Sequence, residues 1–65
     1  MINLTEREVT IAKLLIEGKT NKEIGKTLFI SFHTVKATLE KIYRKTDCHS
    51  RVQFAIWAMQ NGVLK

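Results

Sequence analysis

The stretch TNKEIGKTLFISFHTVK, residues 20–36, decides the fold of this chain. It predicts a short helix, a tight turn and the start of a longer helix. Thr20 with Glu23 three residues later is a capping box, and Ser31 is a favourable N-cap for the longer helix. Gly25 lowers the stability of the short helix by about 1 kcal/mol relative to alanine. We therefore expect that the missing side chain allows a close crossing of the two helix backbones, which compensates for this loss. A short helix, a tight turn and a longer basic helix together indicate a helix-turn-helix.

One further helix is predicted on each side of this motif. A second capping box, Thr5 with Glu8, begins the first helix, and Gly18 ends it as a left-handed cap. A third, Ser50 with Gln53, begins the last helix. The chain has no proline, and its apolar residues recur at helical spacing. The sequence therefore predicts an all-α fold of four helices, at about residues 5–17, 21–29, 32–46 and 51–61.

Size and charge limit the classes of function. The 65 residues form one small domain, and the formal net charge of +5 favours a polyanionic partner over a merely solvated basic surface. A single cysteine forms no internal disulfide. The longest apolar run, residues 54–59, is too short to cross a membrane, and no signal peptide is visible. We expect a cytoplasmic protein without a membrane contact.

Catalytic and metal-binding patterns are missing from the sequence. It shows no paired carboxylates, no nucleophile with a base and no glycine-rich phosphate loop, which argues against an enzyme. Cys48, His49 and His33 do not supply the ligands of a structural zinc site, so we expect Cys48 to be a small apolar plug. No cofactor, metal or small-molecule ligand is predicted.

The third helix is expected to present two different faces. Val35, Thr38 or Leu39, Ile42 and Thr46 follow helical spacing toward the core. The opposite face mixes donors, an acceptor and a small apolar group, as a surface that contacts bases does; its residues are His33, Lys36, Ala37, Glu40, Lys41 and Arg44.

Three residues of this face have a chemical counterpart among the bases of DNA. Lys36 is suited to guanine O6 or N7, Ala37 to a thymine methyl and Glu40 to cytosine N4. A pairing of Glu40 with Lys36 or Arg44, four residues away, is an equal alternative. Thr20, Asn21 and Lys22 place donors at the start of the second helix, where free N–H groups suit a phosphate oxygen.

The fourth helix is apolar nearly all the way round. Phe54, Ala55 and Ala58 suffice to pack on the core, which leaves a second stripe of Val52, Ile56 and Met59. Exposed apolar patches mark interfaces, whereas the alternative is a well-buried last helix in a small domain. Val63 or Leu64 is expected to pack back onto the domain.

Several motifs together resemble a known family. They are Leu4-Thr5-x-Arg7-Glu8, Gly18-x-Thr20-Asn21-Lys22-Glu23-Ile24, Ile30-Ser31-x-x-Thr34-Val35-Lys36, Ile42, Lys45, Arg51 and Gly62-Val63. This pattern, which covers essentially all 65 residues, resembles the LuxR-type helix-turn-helix of NarL/FixJ-type response regulators and quorum-sensing regulators. The resemblance implies a third helix that enters the major groove and a fourth helix that forms an isologous dimer contact.

The resemblance also implies roles for individual residues. Base contacts carry over to Lys36, then to Ala37 and His33. The dimer positions match Val52, Ile56 and Met59. Phosphate contacts carry over to Thr20, Asn21, Lys22, Ser31, Thr34 and Lys45.

The sequence also departs from the family pattern. Glu40 stands where some members place a basic or polar base-contacting residue, so specificity does not transfer there. Ala12 stands where the family usually has leucine, and Phe54 stands where it usually has alanine. We interpret these two departures as an exchange in the core, in which the Phe54 ring fills the space left by the smaller Ala12. Other departures are Thr10, Thr38 and Thr46.

We therefore expect a sequence-specific DNA-binding domain of a bacterial-type transcription regulator, spanning residues 1–65 as the C-terminal part of a longer protein. Its partners would be double-stranded DNA with a two-fold-related site and a second copy of the chain. The alternatives are a sigma-factor-like promoter-reading domain and a protein-interaction module that uses the apolar fourth helix.

Overall fold

The computed structural model describes residues 4–62 and contains four α-helices within that range. They are α1 Glu6–Ile16, α2 Asn21–Leu28, α3 Phe32–Thr46 and α4 Arg51–Gln60. The all-α prediction is confirmed, and the predicted helix ends differ from the observed ones by no more than a residue. The predicted packing of Val63 or Leu64 lies outside the described residues.

The N-terminal caps follow the sequence prediction, with one correction. Thr5 and Thr20 both form complete capping boxes, with Glu8 and Glu23 respectively. Ser50 accepts a hydrogen bond from the Gln53 N–H at 3.1 Å. The predicted return bond is wrong, because the Gln53 side chain accepts from the His49 N–H, one residue earlier, at 2.7 Å. The amide is long enough to reach the preceding residue, so the cap also orders the α3–α4 connection.

Residues in the left-handed region lie at or just beyond the C-terminal ends of all four helices, with Gly62 after α4 at φ of 72°. Gly18 follows α1 with φ of 97°, as predicted. Phe29 ends α2 with φ of 58° and Asp47 ends α3 with φ of 55°. This conformation costs a side-chain-bearing residue about 1–2 kcal/mol. The two short connections around α3 are therefore held by the packing of the helices they join.

Gly25 lies where α2 meets the backbone of the following turn. A Cβ atom added to Gly25 would lie 2.8 Å from the Ile30 carbonyl oxygen, closer than real Cβ contacts come. The Ile30 N–H also donates to the Gly25 carbonyl at 3.0 Å. The close crossing predicted from the glycine is confirmed, and it brings α3 back across α2 within a short turn.

All four helices contribute to one apolar core. Phe54 of α4 is its largest fully buried side chain. The Phe54 ring packs against Trp57, with ring centroids 5.7 Å apart, and against Tyr43 of α3, at 5.8 Å. The buried hydrophobic residues are Ile11, Ala12, Leu15, Ile24, Val35, Leu39, Ile42, Cys48, Phe54 and Ala58. The expectation that Cys48 is a buried plug is confirmed.

Truncation of Phe54 tests how much α4 depends on this ring. Phe54→Ala should lower the free energy of unfolding by about 3 kcal/mol or more, because it leaves a large cavity in a fully buried site. Urea denaturation followed by circular dichroism measures the loss. Phe29→Ala makes the same change at a side chain that is 94% exposed, and it should shift stability by less than about 0.5 kcal/mol. Similar losses in the two variants would contradict the placement of Phe54.

Candidate nucleic-acid interface

Packing of α3 on the core fixes which of its faces points outward. Val35, Leu39, Ile42 and Thr46 are buried, which settles the sequence alternative in favour of Leu39 over the half-buried Thr38. The predicted outer face is exposed as expected, with His33, Lys36, Ala37, Glu40, Lys41 and Arg44 all open to solvent. One side of the helix is therefore committed to the core, and the mixed polar side is available to a partner.

The carboxylate of Glu40 forms no ion pair with its neighbours on α3. Among residues 4–62, Lys45 forms an ion pair with Glu8, and the His49 imidazole lies 3.7 Å from the Asp47 carboxylate. The pairing of Glu40 with Lys36 or Arg44 that the spacing allowed is therefore not formed. The outer face consequently offers a carboxylate acceptor between cationic donors.

The start of α2 combines a filled cap with free backbone donors. The Thr20 hydroxyl accepts from the Glu23 N–H at 3.1 Å, and the Thr20 N–H donates to the Glu23 carboxylate at 2.9 Å. This backbone N–H lowers the pKa of Glu23, with the Thr20 hydroxyl bond adding to the effect. The N–H groups of Asn21 and Lys22 precede the first α-helical acceptor, so they remain available at the positive end of the helix.

The start of α3 carries two adjacent hydroxyl groups. Ser31 accepts from the Thr34 N–H at 3.1 Å, and the two side-chain oxygens lie 2.9 Å apart. Both residues are exposed. Since one hydroxyl satisfies the other, a single O–H is left to donate outward. The pair lies on the same turn of α3 as His33.

Lys45 has an internal partner that the sequence did not predict. Its ammonium donates to the Glu8 carboxylate at 2.7 Å, and the same carboxylate oxygen accepts from the Thr5 N–H at 2.8 Å. Glu8 is buried, whereas the Lys45 side chain is 37% exposed. The predicted phosphate contact of Lys45 stays a prediction, and the structure adds this internal contact to it. The first role of Lys45 in the fold is to hold the last turn of α3 against the start of α1.

The bond to Lys45 also sets the titration of Glu8. That bond, followed by the Thr5 N–H, lowers the pKa of Glu8 against the opposing effect of burial. The carboxylate therefore stays charged to a lower pH than an unperturbed glutamate does. The sequence did not predict the contact of Glu8 with Lys45, because the two residues lie 37 positions apart.

Arg51 is a second long-range link that the sequence analysis missed. Its guanidinium donates to the Leu15 carbonyl at 3.3 Å and to the Lys19 carbonyl. These oxygens lie at the end of α1 and in the connection that follows it, so Arg51 attaches the start of α4 to them. Only the family pattern singled out Arg51, and no local rule indicated its acceptors.

The outer stripe of α4 is exposed, as the sequence predicted. Val52 and Met59 are each 69% exposed and Ile56 is 52% exposed. A groove between α1 and α4 continues the stripe, and its apolar lining includes Leu15, Ile16 and Ala55. The alternative of a well-buried last helix is therefore wrong for this side of α4.

Residues 4–62 lack two other kinds of feature, a metal site and a membrane-spanning helix. No cluster of histidine, cysteine, aspartate or glutamate there could hold a metal ion. None of the helices in that range has the length and apolar character needed to cross a membrane.

Comparison with known proteins identifies the family. The model for bacterial regulatory proteins of the luxR family matches residues 2–58. The chain belongs to the LuxR family. It is a helix-turn-helix DNA-binding domain of a transcription regulator, and the resemblance found in the motifs is confirmed. Neither the sigma-factor-like domain nor the protein-interaction module is favoured by this match.

Named relatives agree with this assignment. The chain is 49% identical over 62 residues to the transcriptional regulatory protein LiaR of Bacillus subtilis, covering 95% of this chain and 29% of LiaR. It is 36% identical over 62 residues to the transcriptional regulatory protein DegU of Brevibacillus brevis, covering 95% of this chain and 26% of DegU.

A solved structure gives the same result for the fold. Vibrio cholerae VqmA, described as a dimeric LuxR-type receptor in the absence of target DNA, superposes with a TM-score of 0.92 at 30% identity. The match covers 97% of this chain and 28% of the VqmA chain. The LuxR-family domain thus spans less than a third of the length of each of these three relatives.

The Glu8–Lys45 pair predicts how stability changes in acid. Because folding lowers the pKa of Glu8, its contribution is complete above the unfolded-state pKa of about 4.3 and disappears as pH falls through the lower folded value. Glu8→Gln keeps an acceptor for the Thr5 N–H but loses the charged bond. At pH 7 it should be less stable by about 1–3 kcal/mol.

Urea denaturation at a series of pH values measures this difference. The gap between the native chain and Glu8→Gln should stay constant from pH 7 to about 5 and narrow below about pH 4. Glu6→Gln, at an exposed carboxylate in the same helical turn, is the matched control and should change stability little. A gap that does not narrow in acid would contradict the charged bond.

Proposed function

We propose that this domain binds specific DNA sequences by inserting the outer face of α3 into the major groove. One observation carries the proposal: burial of Val35, Leu39 and Ile42 leaves a mixed donor, acceptor and apolar surface exposed on the other side. The major groove presents a distinct set of donors, acceptors and methyl groups for each base pair. A surface of cations alone would bind phosphates without distinguishing sequences.

Individual residues take roles that follow from their chemistry. Lys36 donates to guanine O6 or N7, and Ala37 contacts a thymine methyl. His33 contacts a base edge from the first turn of α3. Glu40, which has no ion pair among the described residues, accepts from cytosine N4. This carboxylate would repel phosphates, so it favours a position over the bases.

Phosphate contacts on both sides of the groove would hold α3 in register. The free N–H groups of Asn21 and Lys22, with Thr20 beside them, form one set at the start of α2. The hydroxyl pair of Ser31 and Thr34 forms the other. Lys45 adds a contact of a different kind, because Glu8 uses one of its donors and orients the ammonium, which keeps further donors for a phosphate oxygen.

The exposed stripe on α4 supports a dimer on DNA. Val52, Ile56 and Met59 would meet the same residues of a second copy, as in an isologous contact. A dimer of this kind matches a two-fold-related DNA site. That VqmA is described as a dimer supports the same arrangement. We further propose that the domain is the C-terminal part of a longer cytoplasmic regulator and that it needs no cofactor or small-molecule ligand.

Substitution of Lys36 tests the major-groove assignment. Preferred duplexes are first selected from a random library with the native chain. Lys36→Ala should then raise the Kd for the best duplex by about 5- to 150-fold and relax the preference at one base position. Fluorescence anisotropy at fixed salt, on the selected and on a random duplex, measures both effects.

Lys13→Ala is the control for the loss of charge, because it removes a lysine from α1, away from the outer face of α3. It should change the Kd only slightly. An equal loss of affinity by Lys36→Ala on selected and random DNA would reassign Lys36 to a phosphate contact. Failure of the native chain to select any duplex would refute sequence-specific binding itself.

Substitution of Ile56 tests the α4 dimer. Ile56→Glu puts two like charges into the proposed contact, so it should abolish cooperative binding to a two-fold site while leaving affinity for a single half-site unchanged. Titrations on whole-site and half-site duplexes, with sedimentation to count bound copies, measure this. Thr10→Glu, an exposed change on α1, is the control. Unaltered cooperativity in Ile56→Glu would exclude this stripe from the dimer.

A further inference from the structure

Two phenylalanines remain exposed beside the N-cap of α3. Phe29, in the turn, is 94% exposed, and Phe32, the first residue of α3, is 47% exposed. Single exposed apolar residues are ordinary in proteins. These two rings, however, flank Ser31 at the end of α3 that the proposed function brings to the bases. The two rings differ in how much of each is covered by neighbouring residues.

Phe32 packs against a neighbouring ring on the surface of α3. Its ring meets the His33 ring edge to face, with centroids 5.5 Å apart and an interplanar angle of 74°. An aromatic pair in this geometry is favourable beyond the area that it buries. About half of the Phe32 side chain is covered, and the other half faces solvent next to a residue with a proposed base contact.

The position of Phe32 along α3 limits what could cover its exposed half. The N-terminal residues of a recognition helix are those that contact base edges. The next exposed residue of α3 to carry a charge is Lys36, and the chain as a whole has a net charge of +5. These charges favour a polyanion over an apolar protein surface as the partner. Duplex DNA also offers an apolar group in its major groove, the C5-methyl of thymine, and phenylalanine is among the side chains that contact it.

We propose that Phe32 determines specificity by packing its ring on the C5-methyl of a thymine next to the base that His33 contacts. This proposal rests on the proposed function, since it requires α3 in the major groove. In this arrangement the exposed half of the ring leaves water together with the methyl group. The ring also keeps His33 in a fixed orientation through their edge-to-face contact. Phe32 thus contacts DNA by itself and positions its neighbour.

Phe29 supplies the matched comparison. It is in the left-handed conformation at the end of α2, and almost its whole side chain projects into solvent. It belongs to the turn and not to α3. Removal of the Phe29 ring therefore deletes the same apolar group from the same region without touching the proposed contact.

The experiment removes the methyl group from the DNA and the ring from the protein, separately and together. Each thymine of the selected duplex is replaced singly by deoxyuridine, which lacks only the C5-methyl. At one thymine the replacement should raise the Kd of the native chain about fourfold, the factor expected for one buried methyl-sized group. The same replacement should leave the Kd of Phe32→Ala unchanged. Phe29→Ala should retain the full deoxyuridine effect.

Ala37 is also expected to contact a thymine methyl. The effects of deoxyuridine at the different thymines must therefore be assigned to Ala37 or to Phe32. A deoxyuridine effect due to Ala37 should persist in Phe32→Ala, whereas the effect assigned to Phe32 should vanish. Phe32→Leu keeps an apolar side chain, and it should retain part of that effect. Circular dichroism of each variant confirms that the helices are intact, and Phe32→Leu carries the test if Phe32→Ala does not fold.

Three results would overturn the proposal. They are identical deoxyuridine effects in the native chain and the Phe32 variants, loss of the effect in Phe29→Ala, and the absence of any thymine at which deoxyuridine weakens binding. In all three, a preference for the selected duplex over random DNA would leave the proposed function standing. Absence of that preference in the native chain would instead refute the proposed function.

Discussion

The close approach of Gly25 to the Ile30 carbonyl is the constraint on which the rest of the structure depends. A side chain at this position would meet backbone, which has little freedom to move, at 2.8 Å. Its absence allows α3 to cross α2 within a short turn, with Ile24 and Val35 fully buried. Because that crossing buries one side of α3, it also determines which residues face outward. Under the proposed function, the glycine therefore affects DNA recognition without contacting DNA.

Long-range polar contacts hold this arrangement at its ends. Glu8 fixes the last turn of α3 to the start of α1, and Arg51 fixes the start of α4 to carbonyl oxygens at and beyond the end of α1. Both contacts use a cationic side chain to join two parts of the same chain, even though the domain is basic overall. Lys36, Lys41 and Arg44 make no ion pair among the described residues, so their charge remains for a polyanion. The net charge alone does not show which cationic side chains bind within the fold and which remain available to a polyanion.

The sequence predicted the parts of the structure that local rules govern. Capping boxes at Thr5 and Thr20, the crossing at Gly25 and the outer stripe of α4 were all predicted correctly, because each depends on neighbours within a turn or two. The partners of Lys45 and Arg51 were missed, since contacts between distant positions leave no local signal. The sequence left open whether Glu40 pairs with Lys36 or Arg44, and the structure shows that neither pair forms. Contacts with DNA stay predictions, because they depend on a partner as well as on the fold.

Chemical protection of the selected duplex tests the central claim most directly. Dimethyl sulfate modifies guanine N7 in the major groove and adenine N3 in the minor groove, so it distinguishes the grooves in one experiment. If α3 enters the major groove of a two-fold site, bound domain should protect guanine N7 in two patches about one helical turn apart. Protection of adenine N3 alone, or no protection at guanine N7 under saturating protein, would contradict the account.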